Sequence, residues 1–104
     1  MSIIKGMLQE EYERLKSLLV KYQAEVSKLP AGSVSEKQIK GNRYAYIARR
    51  RKSKIEFIYI GRASSPKVQS IRDEIKRRKD YESKIRILKE DIKELERALG
   101  GRKV

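Results

Sequence analysis

SVSEKQIKGNRYAYIARRRKSKIEFIYIGR, residues 33–62, reads as β-sheet inside a chain that otherwise reads as charged helix. It carries nine Lys/Arg against two acids, and it holds Tyr44, Tyr46, Phe57 and Tyr59. β-Branched and aromatic residues alternate with polar ones, as strands require. The stretch has a net charge of +7, about half of the chain's +13. A short basic sheet with tyrosines points to a polyanion, and most directly to nucleic acid.

Two turns divide the stretch into three strands. Gly41-Asn42 is a two-residue turn signal between a run ending at Lys40 and one starting at Arg43. Arg50-Arg51-Lys52-Ser53 predicts the second loop, joining 43–49 to 54–60. This register puts Ile39, Tyr44, Tyr46, Ile55, Phe57 and Tyr59 on one face. Lys40, Arg43, Arg49 and Lys54 share the other with Ile47, Ile58 and Ile60. The aromatic face is expected to be the core that meets the helices, because a tyrosine can bury its ring and leave its hydroxyl in water. The alternative is a platform on which single-stranded bases stack.

Before the sheet, residues 2–28 predict a helix. Leu8, Tyr12, Leu15, Leu19, Tyr22, Val26 and Leu29 alternate in steps of four and three, which is a coiled-coil seam. Pro30 and Gly32 stop it. After the sheet, Ser64-Ser65-Pro66 signals a helix start and Gly100-Gly101 its end. Tyr81, Ile85, Leu88, Ile92, Leu95 and Leu99 continue the seam pattern, whereas Val68, Ile71 and Ile75 join it only through two successive steps of three at Arg78. Such a step marks local overwinding, and the basic run Lys76-Arg77-Arg78-Lys79 sits on it.

The expected fold is therefore α+β: a long helix, a three-stranded antiparallel sheet and a second long helix, the two helices forming an antiparallel coiled-coil hairpin. One domain is expected over 1–104, with a coiled-coil helix at 1–29, the basic sheet at 33–62, a second helix at 65–99 and a disordered tail at 100–104. The second helix overhangs the first by about 10 Å at 1.5 Å per residue. That overhang and the exposed seam predict a homodimer.

Composition excludes several chemistries. The chain has neither cysteine nor histidine, so thiolate or imidazole metal sites, disulfides and Ser-His triads are ruled out. Glu90, Asp91, Glu94 and Glu96 interleave with Lys89, Lys93 and Arg97 as a salt-bridged helix surface. No P-loop, paired acids or activated nucleophile is present, so neither enzymatic activity nor a cofactor is expected. No apolar run approaches the ~20 residues of a membrane span. The N-terminus turns acidic where a signal peptide stays apolar, so a cytoplasmic location is expected.

The candidate nucleic-acid contacts are Lys40, Arg43, Arg49, Arg50, Arg51, Lys52, Lys54 and Arg62 on the sheet, with Lys76, Arg77 and Arg78 on the second helix. In the expected register Arg49 lies opposite Lys54, a like-charge pair that an anion would relieve. Arginine also reaches phosphate or guanine edges with two hydrogen bonds. Either cluster also fits an ordinary solvated surface. Double-stranded DNA is favoured over RNA.

The segments Leu29-Pro30-Ala31-Gly32-Ser33, Lys40-Gly41-Asn42-Arg43-Tyr44-Ala45-Tyr46 and Tyr59-Ile60-Gly61-Arg62 resemble an LP-x-GS … KG-x-x-Y-x-Y … YIG core. That core belongs to a family of small, functionally uncharacterised bacterial and archaeal proteins, in which a charged coiled-coil helix follows it. The likeness covers residues 29–99 and implies the same architecture. Some members of that family are encoded beside toxin-like nucleotidyltransferases, which implies an antitoxin or adaptor that masks a protein partner with its helices. The three strands are also similar to the arm-binding N-terminal domain of phage-type tyrosine recombinases, whose sheet enters the DNA major groove. This chain lacks the recombinase catalytic domain, so that likeness implies an accessory or regulatory DNA-binding protein. The order of elements is similar to prefoldin-like chaperone subunits, but a charge of +13 suits them poorly.

Overall fold

A computed structural model describes residues 2–100. Its elements are α1 (Ile3–Ser27), β1 (Ser33–Ile39), β2 (Asn42–Arg51), β3 (Lys54–Arg62) and α2 (Pro66–Ala98), the α+β order expected. Most of the tail expected at 100–104 lies outside the described residues. The chain falls into two compact units, one of α1 with the part of α2 from Asp80 onward, the other spanning Leu29–Lys79. Among the described residues no helix is long and apolar enough to cross a membrane.

The helical unit starts at Ser2, whose side chain accepts a hydrogen bond from the Lys5 backbone N–H at 2.9 Å and so caps α1. The seam then does what its spacing predicts. Tyr12, Leu15, Leu88 and Ile92 are buried together, with Leu19, Tyr22, Leu95 and Leu99 half-buried around them. Tyr12 donates to the Glu96 carboxylate at 3.2 Å, while the rings of Tyr22 and Tyr81 lie 5.3 Å apart. Ascending α1 therefore means descending α2, so the helices run antiparallel. On the exposed surface Arg14 forks onto Glu11 through bonds of 2.9 and 2.8 Å. The hydrogen bond from Arg14 holds the Glu11 carboxyl below its usual range.

In the other unit the strands lie in the order β1-β2-β3, both pairs antiparallel. Both turns differ from expectation by the same amount. The first is Lys40-Gly41, because Ile39 pairs with Asn42. Positive φ at both positions (49° and 86°) gives the primed turn that matches strand twist, with glycine in the second place. The second turn is Lys52-Ser53, with Arg51 opposite Lys54. A two-residue loop lets both strands run longer than a four-residue one. Arg49 consequently opposes Glu56, and the expected Arg49–Lys54 repulsion is replaced by an ion pair of 2.9 Å. At Gly32, φ is +109°, and a Cβ would sit 2.5 Å from the Ala48 carbonyl oxygen. The chain enters β1 so close to β2 that only glycine fits there.

The face that forms the core is the reverse of the one expected. Ala45 is fully buried, and with Ile60 and Val68 it forms the centre of this unit, joined by Val34, Ile47 and Ile71. A bare methyl in the middle of β2 lets α2 approach closely, and a large ring there would hold it off. An irregularity at Ala45/Tyr46 leaves Ile60 as an extra residue on β3, turned in beside Ala45. The rings of β2 and β3 point the other way.

Candidate nucleic-acid interface

Directly paired residues share a face, so the register fixes what looks outward. Tyr46 pairs with Tyr59, Ala48 with Phe57, Arg50 with Ile55, and Tyr44 with both Lys37 and Arg62. Phe57 and Tyr59 are 50% and 57% exposed, far above what a core position allows. The rings form a cluster, with centroids 5.5 Å apart for Tyr46–Tyr59 and 6.3 Å for Tyr44–Tyr59. Lys37 lies over it, its ammonium 4.6 Å from the centre of the Phe57 ring and 5.3 Å from that of Tyr46. Such cation–π contacts are worth about 0.5–1 kcal/mol at exposed sites.

The acids of the sheet are kept off this face. Glu36 pairs with Ala45 in the register, which turns it inward, where Arg43 and Arg72 take its two oxygens. Glu56 likewise takes Arg49 on one oxygen, with Arg51 at 3.7 Å from the other. The only two carboxylates of residues 33–62 thus neutralise cations on the side of α2. The outward face is left with Lys37, Arg50 and Arg62 around the rings.

The expected site residues therefore divide. Arg50 and Arg62 lie on the outward face. Lys40 and Lys52 occupy the two hairpin tips, each at positive φ, and both are exposed. Lys54 lies opposite Arg51 at the second tip. Arg43 and Arg49 are on the inner face, engaged by glutamates. On α2, Lys76 and Arg77 are exposed, and Lys76 lines a cleft of about 330 Å³ with Ser33, Val34, Arg72, Ile75 and Lys79. Since α2 packs on the inner face, these cations do not join the outward group. Arg78 donates to the Leu29 carbonyl oxygen at 2.6 Å, so it closes the chain just after α1 and is not free to meet a phosphate.

Sequence reasoning left Lys37 out of the site and offered the four rings as a stacking platform only as the alternative to a core face. The available signal was Ala45 amid Ile47, Ile58 and Ile60. That set is aliphatic and slim enough to lie under a helix carrying Val68 and Ile71. Comparison of the chain with family models, with curated proteins and with solved structures finds no match.

Proposed function

We propose that this chain is a non-enzymatic, cytoplasmic nucleic-acid-binding protein that uses the outward face of its sheet. One observation carries the reading: four aromatic side chains stand on that face with Lys37, Arg50 and Arg62, and both acids of the sheet are turned away. Exposed rings bounded by unneutralised cations suit a partner with flat bases and a phosphate backbone. Lys40 and Lys52 extend the positive surface to both ends of the sheet.

The test is binding of a fluorescein-labelled oligonucleotide, followed by anisotropy as salt is raised. If Lys37, Arg50, Arg62, Lys40 and Lys52 each meet a phosphate, log K falls against log[salt] with a slope of roughly −3 to −4. A protein that binds no oligonucleotide at 20–50 mM salt would end this reading.

A second reading, association through the helices, has its own observation. Ile3, Ile4 and Met7 near the start of α1 are 83%, 69% and 61% exposed. This supports a homodimer, or a protein partner as an antitoxin or adaptor would have. A light-scattering mass above that of one 12.2 kDa chain checks the homodimer.

A further inference from the structure

We infer that the outward face takes an unpaired nucleic-acid strand, with bases stacked on Tyr46, Phe57 and Tyr59 and phosphates held at the rim. This rests on the nucleic-acid reading above and replaces the duplex that the sequence favoured.

The chemistry of the rings decides between strand and duplex. The floor of a major groove offers hydrogen-bond donors and acceptors, with the thymine methyl as its apolar feature. Side chains that read it are arginine, lysine, amides, carboxylates and small hydroxyls, with an apolar group such as phenylalanine useful only against the thymine methyl. Here the middle of the face holds Tyr44, Tyr46, Tyr59 and Phe57, and Phe57 has no polar atom at all. Pressed into a groove, the ring carbons would cover more base-edge donors and acceptors than three tyrosine hydroxyls can satisfy, and each buried, unpaired one weakens binding. Unpaired bases instead present π-faces, which suit exposed rings whatever the base.

The placement of charge agrees. Lys37 lies on the edge strand β1, Arg50 near the second hairpin tip, and Arg62 at the far end of β3 beside Tyr44. Their positions along the strands bracket the rings, as a strand with inward bases and outward phosphates needs. Lys37, now lying across Phe57 and Tyr46, has a flexible stem that a phosphate can draw aside, which opens the ring faces. DNA and RNA strands share this chemistry, and separate probes distinguish them.

The experiment uses the full chain and three labelled probes of one mixed sequence, about 12 nucleotides long: single-stranded DNA, single-stranded RNA and the DNA duplex. At least one single strand should bind about tenfold or more tightly than the duplex and quench tyrosine fluorescence as bases stack. Tyr46→Ala and Tyr59→Ala should each weaken strand binding by about tenfold. Tyr46→Phe, which keeps the ring and loses the hydroxyl, should bind as the parent does. Tyr59 is exposed and Tyr46 half-buried, and an unchanged far-ultraviolet circular dichroism spectrum identifies folded variants. A duplex bound as tightly as either strand, or full strand affinity in folded Tyr46→Ala and Tyr59→Ala proteins, would overturn the inference and leave nucleic-acid binding standing. Failure to bind any of the three probes would instead remove the underlying reading.

Discussion

The triple substitution Lys37→Ala, Arg50→Ala, Arg62→Ala is expected to lower oligonucleotide affinity by about 100-fold at 0.1 M salt. With a slope of about 0.7 per phosphate contact on a single strand, each contact contributes roughly 0.7 of a decade at that salt, and three contribute about two decades. The salt slope itself should flatten by about 2. All three residues lie on the outward face, away from Ala45 and Val68, so the fold should persist. The matching control is Arg43→Ala with Arg49→Ala, which removes two cations already held by Glu36 and Glu56. Its affinity should stay within about threefold of the parent, the range expected of long-range electrostatics alone. Equal losses in the two variants would mean that net charge, and not a particular face, governs binding.

The largest effect on stability is expected from Leu88→Lys in the helical unit. Leu88 is 7% exposed and packs with Tyr12, Leu15 and Ile92. Losing its burial costs about 2–3 kcal/mol. The lysine ammonium must then leave the seam by stretching its stem past its neighbours, which disturbs the packing further. A loss of about 3 kcal/mol or more is a large part of what a chain of this size has. The midpoint of urea denaturation, followed by helical circular dichroism, should fall steeply. Lysine at Ile87, 57% exposed on the same helix, should leave the midpoint nearly unchanged. Similar midpoints for the two variants would contradict the seam.

The features written locally in the chain were legible. Steps of three and four mark the seam from Leu8 to Leu29 and from Tyr81 to Leu99, and burial follows them. Strand alternation was also legible, even though both turns were misplaced. Each turn moves the pairing by two residues, and an even shift leaves every side chain on its expected face. The same shift changes partners, which is why Arg49 meets Glu56 and not Lys54. What the alternation cannot say is which face the helix covers. Ring size suggested the aromatic side. Close approach of α2 to Ala45 settles it the other way, and that depends on contacts between residues far apart in the chain. The fate of Arg78 is similarly non-local, since its partner Leu29 is 49 positions away.

The central claim, that the outward face of the sheet is the binding surface, is most directly tested by nuclear magnetic resonance of the aromatic rings during titration with a single-stranded oligonucleotide. The chain supplies its own reference. Tyr44, Tyr46, Tyr59 and Phe57 belong to the sheet, whereas Tyr12, Tyr22 and Tyr81 pack in the helical unit. Ring-current shifts should move the resonances of Tyr46, Phe57 and Tyr59 and leave those of Tyr12, Tyr22 and Tyr81 in place. Saturable binding with the sheet rings unmoved, and perturbations confined to residues 76–79 or to the helical tyrosines, would contradict the account.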